Sequence, residues 1–265
     1  MYPSFTLFDK TIPSYWICAL AGLAACCIAA LIRHKRFKEL QEVDITNSAA
    51  LGLVGMILGG RVLYLLRISP LIVKNFSYLK AHPHLAYEVL SNGMVFYGGL
   101  FGVLAVLLWY CRKYRLDRAA VFDYYAPLFP LFHAFGRVGC FLTGCCHGMV
   151  CQRFGIAFVN SPSAENGVPY FPVQLLGSLG NLCLFGIVLA FERKHHKSGQ
   201  ALPLYLLLYA IGRFLLEFLR GDTVRGVTFG LSTSQWISLG LLLALAIVRY
   251  RIKKGREAQP QSGTN

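Results

Sequence analysis

One thirteen-residue stretch, Gly136-Arg137-Val138-Gly139-Cys140-Phe141-Leu142-Thr143-Gly144-Cys145-Cys146-His147-Gly148, gathers an arginine, three cysteines, a histidine and four glycines. A guanidinium grips phosphate or carboxylate oxygens through a planar fork of donors. Thiols ligate metals, form disulfides or act as nucleophiles. An imidazole moves a proton near neutral pH. Glycines let backbone come close to a ligand or another helix. A second set, Tyr209, Arg213, Glu217 and Arg220, is spaced by four, four and three residues. That spacing predicts one helix face on which Glu217 pairs with Arg213 and Arg220, either as a plain ion-paired stripe or as a stripe facing a cavity.

The elements that must position these groups are apolar. Of 265 residues, 55% are hydrophobic and 14% charged, and the mean hydropathy is +0.52. That is too apolar for an ordinary water-soluble domain. Residues 14–32, 93–111, 171–191 and 231–248 lack any Asp, Glu, Lys or Arg and are long enough to cross a bilayer. Residues 47–66 carry Arg61, residues 119–142 carry Asp123, His133 and Arg137, and residues 200–219 carry Arg213 and Glu217. The expectation is an all-α, polytopic membrane helical bundle of about seven transmembrane helices with a small extracytoplasmic cap. Pro127 and Pro130 should make the fourth span the least regular. A single membrane domain is expected over residues 1–256, with a disordered cytoplasmic tail at 257–265. Loops 67–92 and 143–170 are long enough to form structure outside the membrane. No basic run precedes the first apolar window, so that window reads as a retained helix and not a cleaved leader.

The net charge is +14, but its distribution argues against nucleic acid. Taking the loops alternately, sixteen Lys and Arg flank the spans on one side and seven on the other. By the positive-inside rule the N-terminus lies outside and the C-terminus in the cytoplasm, which an odd number of spans requires. Arg61, Arg137 and Arg213 then sit on three different spans, where an arginine costs about 2.5–3.5 kcal/mol on insertion scales and needs an anion or water. Asp123 and Glu217 are the main acids near them. A phospholipid head group would supply the missing charge.

Cysteines divide into two sets. Cys18, Cys26, Cys27, Cys111 and Cys183 lie in or beside apolar spans as small hydrophobes, whereas Cys140, Cys145, Cys146 and Cys151 cluster with His147 near the outer face. For the cluster, three readings stay open: a metal site of unusual spacing, a disulfide, and buried or reactive thiols. Close-packed pairs Gly55/Gly59, Gly98/Gly102 and Gly144/Gly148 recur at a spacing of four.

Taken in order, these residues resemble the prolipoprotein diacylglyceryl transferase family over nearly the whole chain. The resemblance runs through Gly59-Gly60-Arg61, Phe96-Tyr97-Gly98-Gly99-Leu100, Asp123-Tyr124-Tyr125-Ala126-Pro127-Leu128 and Gly136-Arg137-Val138-Gly139. It continues through Pro172 and Gln174, the set Tyr209, Arg213, Glu217 and Arg220, and Ser234-Gln235. It implies a bacterial cytoplasmic (inner) membrane enzyme that moves diacylglyceryl from phosphatidylglycerol to the lipobox cysteine thiol of a prolipoprotein. The products are a thioether and glycerol phosphate. Arg137 and Arg213 would hold the phosphate and Glu217 would orient them. Substrate contacts would also come from Arg61, Gly98, Gly99, Gly139, Tyr209 and Arg220. The expected partners are phosphatidylglycerol, prolipoprotein signal peptides with a lipobox cysteine, and membrane lipid; the expected state is a monomer without cofactor or metal.

Departures from the family signature fall within the Cys-rich stretch and at Tyr97. Cys140 and Thr143 stand where asparagines are usual, Cys145 where a glutamate is usual, His147 where a tryptophan or similar residue is usual, and Tyr97 where a histidine is usual. His147 or Tyr97 is therefore the expected proton acceptor, unless the thiol arrives already ionised. Two other classes remain: a membrane thiol-redox or metal protein built on these cysteines, and a non-catalytic phospholipid-binding protein.

Overall fold

The computed structural model describes residues 3–7, 10–37, 39–91, 93–161, 163–194, 198–221 and 226–257. They fall into two compact units, residues 36–121 and residues 1–35 with 122–265. The tail expected at 257–265 lies outside the described residues, apart from Glu257 at the end of the last helix.

In the 36–121 unit, a long helix α2 (Glu42–Lys74) is followed by the short α3 (Phe76–Ala81) and α4 (Pro83–Ser91), then by α5 (Phe96–Lys113). Helices α2 and α5 cross along the glycine pairs. A Cβ on Gly98 would run into the Gly59 carbonyl, and one on Gly102 into the Gly55 carbonyl. The sequence places α2 at 47–66; it runs further at both ends. It continues through Pro70, where the ring removes the N–H owed to the Leu66 carbonyl. The Ser69 hydroxyl donates to that carbonyl instead, at 2.8 Å. Tyr64 of α2 donates to the Val89 carbonyl of α4 (3.0 Å), and Tyr110 of α5 donates to Asp44 Oδ1 of α2 (3.2 Å).

The other unit opens on a hairpin, β1 (Ser4–Leu7) and β2 (Lys10–Pro13), which leads into α1 (Ser14–His34). Helix α6 (Arg118–Tyr125) and helix α7 (Leu128–Thr143) replace the single fourth span expected from the sequence. Pro127 sets the break, and Pro130 is tolerated in the first turn of α7, where helical N–H groups lack partners anyway. A hairpin of β3 (Ile156–Ala157) and β4 (Pro169–Tyr170) precedes α8 (Val173–Lys194) and α9 (Ala201–Glu217). A last hairpin, β5 (Val227–Thr228) and β6 (Leu231–Ser232), leads into α10 (Thr233–Glu257). Helix α7 packs between α1 and α8, and α9 between α8 and α10.

Buried polar groups stitch this unit. The Asp123 carboxylate accepts from the N–H groups of Gly199, Gln200 and Leu202 at 2.7, 3.0 and 2.9 Å, capping the start of α9. Arg33 pairs with Glu192 at 2.6 Å and donates to the Tyr124 carbonyl at 2.8 Å. Ala126, Val188, Ala201 and Tyr205 form an apolar core beside them.

Helices α1, α2, α8 and α10 are each long and apolar enough to cross a membrane. Their large apolar residues, such as Leu20, Leu31, Leu179 and Leu243, are exposed. This reverses the inside-out order of a water-soluble protein, as a chain solvated by lipid requires.

Candidate active site

Helix α7 sets His133, Arg137 and Cys140 on one face, at spacings of four and three. Across from it, α8 presents Gly177, Gly180 and Asn181, and α9 presents Tyr209, Gly212 and Arg213; these six, with His133 and Arg137, line a cavity of about 150 Å³. Ser178 donates to the Ala134 carbonyl at 3.0 Å and holds α8 against α7. The Arg137 side chain runs past Gly177, where a Cβ would sit in ordinary contact, 3.6 Å from Nε and 3.7 Å from Cδ.

The two arginines are held differently. Arg213 Nη1 is ion-paired with Glu217 Oε2 at 2.7 Å and its Nη2 donates to Ser234 Oγ at 2.9 Å, so its fork is held by its own helix and by α10. Glu217 Oε2 also lies 4.0 Å from Arg220 Nε. Arg220 is not on α9 as the spacing predicts. The helix ends at Glu217, and a tight turn with N–H groups of residues 218–220 bonded three residues back keeps Arg220 beside it. Arg137 has no hydrogen bond and no carboxylate partner among the described residues. Glu217 thus serves both Arg213 and Arg220, and Arg137 adds a further cation at the cavity. Asp123, the other acid the sequence offers, is taken up by the start of α9.

Just past Arg137, the chain leaves α7 through a Schellman motif. Gly144 takes φ +79°, its N–H bonds the Phe141 carbonyl (3.1 Å), and the Cys145 N–H bonds the Cys140 carbonyl (3.0 Å). In this motif the residues at Cys140 and Cys145 are the pair whose side chains usually touch. Cys146 follows at φ +57°, a conformation that L-residues rarely adopt and that is often found at functional sites. The three sulfurs lie within 4.8 Å of one another, and all nine cysteines are free thiols. Among the described residues no other three His, Cys, Asp or Glu side chains come together in a way that could hold a metal. Hydrogen bonds from the Cys140 and Cys145 thiols, and then Arg220, push the Cys146 thiol well below the usual thiol range. Gln174, fully buried at the start of α8, donates to the Cys145 carbonyl at 2.8 Å and locks the loop.

The cap beyond the cysteines has its own small core of Phe158, Ala164 and Tyr170. Gly148 bridges to Arg220, and the Met149 N–H bonds the Leu219 carbonyl at 3.0 Å, which ties the cap to the end of α9. His147 belongs to this cap. It is buried, its ring lies 4.2 Å from that of Tyr170, and its Nδ1 lies 3.1 Å from the Gly148 carbonyl oxygen. It does not line the cavity. Gly139 does not either; it is buried where Tyr15 and Cys18 of α1 press on α7.

Of the residues singled out from the sequence, the structure therefore brings together Arg137, Tyr209, Arg213, Glu217 and Arg220. Arg61, Tyr97, Gly98 and Gly99 belong to the α2–α5 unit. There Arg61 donates to the Gly93 carbonyl at 2.9 Å, Gly98 and Gly99 abut α2, and Tyr97 is partly exposed. Two cavity residues were missed. His133 lies one turn before Arg137, a spacing that could have signalled it, and its ring centroid is 5.8 Å from that of Tyr209. Asn181 is buried; its Nδ2 donates to the Gly177 carbonyl at 2.7 Å while its Oδ1 accepts nothing. A lone Asn in an apolar helix was the available signal.

The family described as prolipoprotein diacylglyceryl transferase matches residues 4–251. A phosphatidylglycerol–prolipoprotein diacylglyceryl transferase of Clostridium tetani is 36% identical over 256 residues, covering 96% of this chain and 98% of the relative. A second, numbered 2, from Clostridium perfringens is 32% identical, covering 94% and 93%. One from Idiomarina loihiensis is 34% identical, covering 91% and 88%. Alignment of this extent with the arginine-lined cavity and apolar helices in hand leads to one assignment: the chain belongs to the prolipoprotein diacylglyceryl transferase family.

Proposed function

We propose that this chain transfers diacylglyceryl from phosphatidylglycerol to the lipobox cysteine thiol of a prolipoprotein, acting as one membrane domain over residues 1–256. The observation that carries the reading is a cavity lined by two arginines, Arg137 and Arg213, of which Arg137 has no carboxylate partner among the described residues. A phospholipid phosphodiester brings one negative charge into that field. The acceptor sulfur attacks the glyceryl carbon that bears the phosphate; the C–O bond breaks and its electron pair goes to the phosphate oxygen. Glycerol phosphate leaves with a second negative charge developing on it. Arginines that meet this added charge bind the transition state better than the lipid, which is what accelerates the step. Glu217 and Ser234 pre-set the Arg213 fork, so little reorganisation is needed. The glycines around Arg137 and Arg213 leave width for a head group.

His147 and Tyr97 are the sequence candidates for proton acceptor, and the buried, cap-bound ring of His147 favours a structural part for it. The proposed setting is the bacterial cytoplasmic membrane, as a monomer, with the N-terminus and the cap outside; terminal reporter fusions test that orientation. The reaction is tested by following glycerol phosphate released from phosphatidylglycerol by purified protein. Release that requires a lipobox peptide bearing its cysteine supports the reading. Folded protein that binds the lipid and releases nothing overturns it.

A further inference from the structure

We propose that Cys140, Cys145 and Cys146 hold a zinc ion, and that its fourth position takes the acceptor cysteine of the prolipoprotein as a thiolate. The proposal rests on the transferase reading above and adds to it the group that ionises the acceptor.

Geometry is the first support. The three sulfurs are within 4.8 Å of one another. A tetrahedral zinc with bonds of about 2.3 Å sets its sulfurs about 3.8 Å apart, so closure needs at most about 1 Å of rotamer adjustment. The loop is built for this approach. Its Schellman turn places Cys140 and Cys145 face to face, the left-handed backbone at Cys146 turns the third sulfur toward them, and Gln174 fixes the Cys145 carbonyl. Three protein ligands with one open position is the arrangement of a catalytic zinc site, not a structural one.

Charge is the second. Zinc with three thiolates carries one net negative charge, and Arg220, whose backbone bridges to Gly148 two residues past Cys146, is placed to offset it. Placement is the third. Cys140 follows Arg137 by one turn of α7, and Glu217 links Arg220 to Arg213, so the sulfurs border the arginines that would receive the phosphate. The chemistry is the fourth. Thioether formation needs a thiolate, yet among the described residues no carboxylate lines the cavity, His133 being its imidazole, and Glu217 is engaged by the arginines. A thiol coordinated to zinc is deprotonated outright.

The step balances without any change of oxidation state. Three thiols release their protons to water as zinc enters. The acceptor thiol binds in the fourth position and gives its proton to the outer aqueous phase. Its sulfur pair forms the C–S bond, the C–O bond breaks toward phosphate, and glycerol phosphate departs between Arg137 and Arg213. The thioether, neutral and a weak ligand, then leaves the metal. Zinc suits this because it binds thiolates and has no redox chemistry of its own.

The test starts from the unaltered protein purified in detergent. Elemental analysis should find one zinc per chain, and Cys145→Ser and Cys146→Ser should lose it while still binding phosphatidylglycerol. Cobalt put in place of zinc should give sulfur-to-cobalt charge-transfer bands. These should change on addition of a lipobox peptide, and not with the same peptide carrying Ser for its cysteine. Removing the metal should slow transfer by at least about a hundredfold, and zinc should restore it. Transfer at full rate from metal-free protein, or from Cys145→Ser, overturns the proposal and leaves the transferase reading intact. Cobalt bands that answer to the peptide in a protein that transfers nothing keep the metal site and sink that reading. A preparation that binds only iron or copper also overturns the zinc assignment.

Discussion

Replacing Arg137 by Ala removes the cavity cation that no carboxylate among the described residues engages. At about 4 Å and an effective dielectric constant of about 20, one unit charge is worth about 4 kcal/mol against another. Between half and all of one extra negative charge develops on the leaving phosphate at the transition state. The expected loss is thus about 2–4 kcal/mol, or ~30- to ~1,000-fold in kcat. KM should rise less, because the ground-state phosphodiester still meets Arg213 and its partners. Arg137→Lys should fall between the two, since it restores the charge without the fork. Steady-state transfer to a fluorescent lipobox peptide, with phosphatidylglycerol varied in mixed micelles, separates the two parameters. An Arg137→Ala enzyme with unchanged kcat and only a raised KM would refute the reasoning. It would mean that Arg137 binds lipid and transition state equally.

Glu217→Gln should cut kcat more than it affects folding if the carboxylate mainly sets the Arg213 fork; kinetics and thermal unfolding in detergent, read side by side, decide this. Removing a partner from so buried a pair costs about 3–5 kcal/mol, so a variant that is merely unstable and keeps its kcat would count against the positioning role. Asp123→Ala takes three N–H bonds from the start of α9 and should lower the melting temperature at a cost of about 1–3 kcal/mol, with kcat of the folded fraction kept. His147→Phe keeps the ring that packs on Tyr170 and should retain turnover within a few-fold; a hundredfold loss with lipid binding intact would restore His147 as the base. Gly102→Ala should abolish folded protein, because its Cβ would enter the Gly55 carbonyl, whereas Gly177→Ala should be tolerated, because its nearest contact is 3.6 Å.

Helix identity was legible because lipid demands long apolar segments with every backbone group paired inside. All seven expected spans contain a helix at the expected place, which put Arg137 and Arg213 on different helices; that the two line one cavity came from the structure. What escaped depended on details that hydropathy does not carry. Ser69 takes over the carbonyl orphaned by Pro70, so α2 runs on. Pro127 divides the fourth span, and α9 stops before Arg220, yet a tight turn brings that guanidinium back to Glu217. Asp123 looked like an arginine counter-ion but faces the start of α9. Gly139 looked like a ligand contact but admits Tyr15. His133 and Asn181 stayed hidden because each is a lone polar residue, informative only once the facing helix is known. The Cys-rich stretch stood out as a site, but its spacing left metal, disulfide and free-thiol chemistry open. Its sulfurs meet through a left-handed residue that no periodicity predicts.

The most direct test of the central claim is the mass of a lipobox peptide after incubation with purified protein and phosphatidylglycerol. The account predicts a gain equal to one diacylglyceryl group on the cysteine sulfur, formed ~30- to ~1,000-fold more slowly with Arg137→Ala. An unmodified peptide recovered from folded, lipid-binding protein would contradict it.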